Sequence, residues 1–326
     1  MALDFDMDLM NWLAEHRVPW LTPVVQAASD LGEIQGFILV STLIYVAVDK
    51  RLAVRLSLLV TLSMCLNHIV KILVGNPRPF LHEGSYLTKW AVPFDKAQEL
   101  AHEYSTPSGH AMAGASFYSY LYAAARRRDV RILCVLAIVA TGLSRPYLGV
   151  HYAEDILLGW LAGLGIAILA LHYGAPIGRW WNGLPFATRI VVAVAASLGL
   201  WVVTLAISGW RIEGQPRAFL GYAGTATGIV IAYPLERHLV RFDAKSASPA
   251  LKLLRYLLTV GLALATLGTL ESWFRRLADD YSLPGYGLQY IRYIAVSIAS
   301  LFIAPWLFTR LGLAEKEGAD RSRPNR

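Results

Sequence analysis

Three short stretches carry the residues able to do chemistry in this chain. Ser144 to Asp155 reads SRPYLGVHYAED and sets Arg145, His151 and Asp155 into an otherwise apolar run; Lys71 to Pro79 reads KILVGNPRP; Pro107 to His110 reads PSGH. Ionisable side chains at a membrane boundary are costly and mark function. His151 and Asp155 are four residues apart, which puts both side chains on one face of a helix. A carboxylate beside an imidazole fixes its tautomer and supports the charge that develops when the other ring nitrogen attacks an electrophile. That is the arrangement of a nucleophilic histidine. A structural His–Asp bond at a helix start has the same spacing, so the reading turns on whether anion-binding groups lie nearby.

The other two stretches supply such groups. Lys71 falls in the last turn of a helix that Gly75 and Asn76 can end, and Pro77 and Pro79 hold Arg78 in extended backbone beyond it. Lys71 can snorkel outward to meet Arg78. Two fixed cations bind an anion, and a guanidinium suits phosphate oxygens bidentately; either cation alone reads equally well as an interfacial anchor. PSGH opens a helix: Pro107 suits the first turn, Ser108 supplies a hydroxyl, and Gly109 leaves its N–H open to a ligand at a helix N-terminus. His110 is then placed to donate a proton to a leaving oxygen, although alone it reads as a polar cap. Taken together, the three stretches require a fold that gathers them around one phosphate.

The elements that must do this are membrane helices. Of 326 residues 56% are hydrophobic and only 16% charged, against about a quarter charged in soluble domains. The apolar runs have spanning length and short polar joints, which predicts an all-α polytopic transmembrane bundle rather than a barrel. Spans are expected at 33–49, 52–74, 107–125, 131–149, 153–173, 186–208, 217–235, 251–270 and 288–309, about nine crossings at roughly 20 residues each. Residues 19–31, broken by Pro19, Pro23 and Asp30, are too short to cross and read as interfacial or half-inserted. The acidic N-terminus is no cleaved signal peptide, and Phe5, Leu9, Met10 and Leu13 suggest a surface-lying amphipathic helix.

Basic residues sort the joints into two sides. Lys50, Arg51 and Arg55, Arg126 to Arg128 with Arg131, Arg179, and Arg237, Arg241, Lys245, Lys252 and Arg255 share a side with the tail, which the positive-inside rule makes cytoplasmic. All three motifs then emerge on the outer face. This also accounts for the net charge of +7 without nucleic acid as a partner. Cys65 and Cys134 sit in spans as small apolar residues. Residues 80–106 form the longest loop and could lie over the site as a lid, with His82 and His102 as solvated loop residues; His68 reads as a buried histidine. The polar tail from Glu315 is expected to be disordered. Gly221, Gly224 and Gly228 recur at helix-packing spacing, for close contact within the chain or a dimer surface.

K-x6-RP at Lys71, Arg78 and Pro79, PSGH at 107–110 and SR-x5-H-x3-D at Ser144, Arg145, His151 and Asp155 resemble the three signatures of the type-2 phosphatidic acid phosphatase superfamily, in order and at every position. The resemblance covers residues 71 to 155. It implies metal-independent hydrolysis through a phosphohistidine, with no cofactor. His151 would attack, Asp155 orient it, and His110 protonate the leaving group. Lys71, Arg78, Ser108, Gly109 and Arg145 would hold the phosphoryl oxygens. The extra spans after the core resemble the layout of sphingosine-1-phosphate phosphatases.

The expected organisation is an interfacial segment at 1–32, a phosphatase core of five to six helices at 33–175, additional transmembrane helices at 176–310 and a cytoplasmic tail at 311–326. The expected substrate is a lipid phosphate or diphosphate in the bilayer: polyprenyl diphosphate, phosphatidic or lysophosphatidic acid, or a sphingoid phosphate. The basic cluster suits a diphosphate in a bacterial inner membrane, with the site facing the exterior, the C-terminus inside and the C-terminal spans available for a homodimer. Phosphotransfer to a second lipid is the alternative within enzymes, and a lipid flippase or transporter the alternative outside them.

Overall fold

The computed structural model describes residues 7–81, 100, 101, 103–210 and 217–317. Most of the expected lid, including His82 and His102, lies outside the described residues, as do residues 211–216 and 318–326. The described chain is helical: α1 (Met7–Glu15), α2 (Thr22–Asp30), α3 (Ile34–Ala47), α4 (Lys50–Val74), α5 (Gly109–Ala124), α6 (Arg128–Tyr147), α7 (Ala153–Gly183), α8 (Phe186–Ile207), α9 (Arg217–Leu235), α10 (Pro249–Phe274), α11 (Leu283–Ile298) and α12 (Ala304–Arg310). Every expected span is occupied by a helix. Among the described residues seven helical stretches are long and apolar enough to cross a membrane, and α2 with α3, bent by 59° at their break, make an eighth if they count as one broken span. The expectation of about nine is corrected to seven or eight. The shortfall is α5, only 16 residues long and hence roughly 24 Å at 1.5 Å per residue, together with α3, which at 14 residues qualifies only when joined to α2.

The chain divides into two compact units. The first comprises residues 1–37, 59–184 and 199–219 and contains all three motifs. Within it α5 is embedded, with most of its residues buried, because small residues let α7 and α6 close on it. A Cβ on Gly163 would lie 2.2 Å from the Met112 carbonyl, and one on Gly159 2.8 Å from that of Ser108. This is a small-xxx-small contact between α7 and α5. On α6, Thr141 fills the place a side chain on Gly114 would take, 2.7 Å from its Oγ1.

The second unit comprises residues 38–58, 185–198 and 220–326. Gly224 and Gly228 are used inside it: added Cβ atoms would meet the Tyr290 carbonyl at 2.4 Å and Ser297 Cβ at 2.5 Å on α11. The glycine stripe is thus a contact within the chain rather than a free dimer surface. Lys50 Nζ is buried between Glu236 (3.0 Å), the Phe242 carbonyl (2.7 Å) and Glu317 (2.9 Å). Glu315 and Glu317, read from sequence as part of a disordered tail, are held here: Asp243 N donates to Glu315 O and Glu317 N to Arg241 O.

Candidate active site

The site is built at the ends of α4 and α6 and the starts of α5 and α7. Lys71 lies in the last turn of α4, and Gly75, at φ +66°, ends the helix in the left-handed conformation that glycine adopts without penalty. The chain then passes Asn76 and Pro77 to Arg78, and a short 3-10 turn follows at Pro79–Leu81. Lys71 and Arg78 are both buried. They converge on one carboxylate oxygen, Glu103 Oε2, at 3.1 Å from Lys71 Nζ and 3.2 Å from Arg78 Nη2.

Arg78 is the hub of the cluster. Its Nε donates to the carbonyls of Leu100 (2.9 Å) and Glu103 (3.1 Å), and its Nη1 donates to the Val150 carbonyl (3.0 Å) and faces His151 Nε2 at 3.1 Å. Since guanidinium only donates, His151 Nε2 is the acceptor in this contact and carries the lone pair. The ring's other nitrogen, Nδ1, lies 3.2 Å from Asp155 Oδ2 and so carries the proton. Burial first, and then the positive charges of Arg78, Arg145 and Lys71, push the His151 pKa well below its ordinary 6.5. The imidazole is neutral and its free nitrogen faces the cations.

Asp155 is held more tightly than a four-residue helix spacing alone could achieve. It is the third residue of α7 and accepts from Tyr152 N at 3.0 Å, the reach-back of a capping box. Ser105 Oγ donates to its Oδ2 in a short contact, and Thr106 Oγ1 donates to Oδ1 at 2.5 Å. Thr106 Oγ1 in turn accepts from Asn76 Nδ2 at 3.0 Å. The approach to PSGH is pinned by Ser105 N to Asn76 O (2.8 Å) and by Asn67 Nδ2 to Pro107 O (3.0 Å).

Helix α5 begins two residues later than expected, at Gly109. Ser108 is its N-cap, accepting from Ala111 N at 3.4 Å, and Pro107 stands outside the helix. Ser108 N donates to the Asp155 carbonyl at 3.1 Å, which ties the α5 start to the α7 start. Gly109 is explained by packing: a Cβ there would lie 3.1 Å from Asn67 Oδ1 and 3.3 Å from Met64 Cε. The first amides of α5 still lack carbonyl partners within the helix, as any helix start does. His110, one fifth exposed, faces Glu33 with Nε2 3.9 Å from Oε1. Arg145, in the last turn of α6, is buried; Nη1 donates to Ser29 Oγ, while Nε has no hydrogen-bond partner among the described residues. His68 packs against Phe219 with ring centroids 5.8 Å apart.

Arg78, His151 and Asp155 are thus joined by direct contacts, Lys71 through Glu103 and Ser108 through its backbone, and Arg145 and His110 stand at the side occupied by Ser29 and Glu33. Sequence reasoning missed Glu103, Ser105 and Thr106, although their position directly before PSGH is a signal that could have found them. Burial raises the Glu103 carboxyl, but the charges of Lys71 and Arg78 outweigh this and hold it at about 2. An anion therefore already sits on the cations expected to bind phosphate.

The sequence matches the family model described as PAP2 superfamily over residues 52–179, and that described as PAP2 superfamily phosphatase, transmembrane extension, over residues 220–316. Among curated proteins it is similar to an undecaprenyl-diphosphatase of Sulfolobus acidocaldarius, 23% identical over 171 residues, 52% of this chain and 79% of the relative. It is 33% identical to phosphatidylglycerophosphatase B of Bacillus subtilis over 92 residues, 25% of this chain and 45% of that one. It is 25% identical to sphingosine-1-phosphate phosphatase 1 of Mus musculus over 293 residues, 80% of this chain and 65% of the relative. No solved structure matches the chain.

Proposed function

The chain belongs to the PAP2 superfamily and is a membrane phosphatase of that type, and we propose that it hydrolyses a lipid phosphate or diphosphate through a phosphohistidine on His151. One observation carries the mechanism: a neutral imidazole whose Nδ1 faces Asp155 at 3.2 Å and whose Nε2 lies 3.1 Å from Arg78, among buried cations. The substrate phosphoryl group displaces Glu103 from Lys71 and Arg78. Arg145 and the first amides of α5 take the remaining oxygens, in the manner of a helix N-terminus binding an anion.

The Nε2 lone pair then attacks phosphorus and the bond from phosphorus to the leaving oxygen breaks. Asp155 supports the charge that appears on the ring, and the His110 imidazolium gives its proton to the departing oxygen. Water, deprotonated by His110, attacks the phosphohistidine, releases phosphate and restores His151. These steps balance without a metal, because the protein's own cations neutralise the transferring group.

The distribution of Lys and Arg supports a site on the outer face and a cytoplasmic C-terminus. Polyprenyl diphosphate is the preferred substrate on this reading, because a cluster of Lys71, Arg78 and Arg145 matches the charge of a diphosphate. The test is phosphate release in detergent, with a chelator present, from polyprenyl diphosphate, phosphatidic acid, lysophosphatidic acid and a sphingoid phosphate. Activity that survives chelation and vanishes in His151→Ala is expected. Loss on chelation, or full activity in His151→Ala, overturns the mechanism.

A further inference from the structure

The three motifs do not account for the side of the site formed by the elbow between α2 and α3. These residues belong to the same compact unit as the motifs, yet precede the stretch matched by the superfamily model, which starts at residue 52. The elbow is a defined turn: Gly32 N donates to Ser29 O (2.8 Å) and Glu33 N to Asp30 O (3.2 Å). It is fastened to α5, where Tyr118 OH donates to the Leu31 carbonyl at 3.3 Å and Phe37 packs on Phe117 at 5.1 Å between centroids. At its other end Arg17 Nε donates to the Tyr147 carbonyl at 3.1 Å, which anchors the approach to α2 on the end of α6.

Three residues of this turn meet the machinery. Ser29 is fully buried and its Oγ accepts from Arg145 Nη1. Gly32 lies against the His110 ring: a Cβ there would be 3.1 Å from His110 Cδ2 and 3.1 Å from Thr141 Cβ. Glu33 brings its carboxylate to 3.9 Å from His110 Nε2. His110 therefore has a carboxylate nearby, supplied from outside the three motifs, at ion-pair range and longer than the 3.2 Å between His151 and Asp155.

We propose that the elbow is part of the active site, with Glu33 the positioning residue that holds His110 and stabilises its imidazolium form, and Ser29 the residue that aims Arg145. This rests on the phosphatase reading above. A carboxylate facing an imidazole fixes its orientation and favours the protonated ring, the form needed when the leaving oxygen departs as an alkoxide. Arg145 is a buried cation whose Nε has no hydrogen-bond partner among the described residues, so fixing Nη1 on Ser29 leaves the rest of the guanidinium to be directed toward the phosphoryl group.

The test compares two leaving groups in one preparation of each variant. An alkyl phosphate such as lysophosphatidic acid needs a proton on its departing oxygen; p-nitrophenyl phosphate loses a stable phenolate and does not. Glu33→Gln is expected to lower kcat for lysophosphatidic acid by roughly 10- to 100-fold, part of the roughly 10²- to 10⁴-fold that general acid catalysis supplies. For p-nitrophenyl phosphate kcat should fall by less than about threefold and KM should hold for both, while Glu33→Asp should recover part of the loss. Ser29→Ala should instead raise KM for both substrates. The ratio of the two kcat values is independent of how much variant folds. Equal losses on both substrates, or no loss, overturn the role of Glu33 while leaving the phosphatase reading intact. A wild-type protein that releases phosphate from neither of these substrates nor from polyprenyl diphosphate overturns both.

Discussion

Replacing Glu103 by Gln should make the protein bind phosphate more tightly. In the free site one oxygen of Glu103 serves Lys71 at 3.1 Å and Arg78 at 3.2 Å. Hydrogen bonds to charged groups are worth about 1.5–3 kcal/mol each, but an incoming phosphate re-forms both. What it does not recover is the cost of pulling the carboxylate away. The Glu103 side chain is 32% exposed, so water takes over much of its solvation. After discounting for that screening, the competition is worth about 1–2 kcal/mol, or roughly 5- to 30-fold in a binding constant. Glutamine keeps the shape and one acceptor but not the charge, so inhibition by inorganic phosphate should strengthen by that factor, with KM for substrate falling in parallel.

The pH dependence follows from the same contact. A carboxyl held at about 2 in the folded protein and at about 4.3 when unfolded stabilises the fold at pH above 4.3. That contribution is lost as pH falls from 4.3 toward 2. Glu103 is therefore ionised throughout the neutral range, and the difference in phosphate inhibition between wild type and Glu103→Gln should be constant from pH 6 to 8. The variant should also melt at lower temperature, because two buried cations lose their partner, and added phosphate should restore more of the midpoint than it does in wild type. Phosphate inhibition that is unchanged or weaker in Glu103→Gln would show that Glu103 organises the cations for the ligand instead of competing with it.

Asp155→Asn leaves the side chain's volume but offers the wrong partner to His151 Nδ1; kcat should drop on the order of 10³- to 10⁴-fold, as when an imidazole is held in the wrong tautomer, and a loss under tenfold would refute the orienting role. Histidine-selective nitrogen NMR should find the His151 ring neutral well below pH 6.5, since burial and the three neighbouring cations oppose its protonation; a ring that protonates at its ordinary pH contradicts the geometry. Gly163→Ala forces a Cβ to 2.2 Å from the Met112 carbonyl, so α7 must move off α5 at about 1–3 kcal/mol. A lower melting midpoint and reduced kcat together are expected, and an unchanged midpoint would place the α5–α7 contact elsewhere.

The residues that sequence reasoning found and those it missed differ in how far their meaning depends on folding. Lys71, Arg145, His151 and Asp155 stand out because they interrupt apolar runs, where a charge needs a reason, and the spacing of His151 and Asp155 is local to one helix start. Glu103 and Glu33 lie where the surrounding sequence is already polar, so their type alone carries no signal. Their partners are remote: Glu103 is 32 residues from Lys71, and Ser29 is 116 from Arg145. The same limit applies to Gly109, read from sequence for its open N–H, whose lack of a side chain also makes room for Asn67 and Met64 on α4. It also explains α5, whose sequence looks like a crossing helix although its length falls short and its faces are taken by α6 and α7. On the proposed mechanism the motifs supply the reacting atoms, whereas the carboxylates beside them, Glu103 on Lys71 and Arg78 and Glu33 near His110, come from elements recruited in three dimensions. Variation at those two positions is accordingly where proteins sharing the same three motifs would be expected to differ in phosphate affinity and in leaving-group preference.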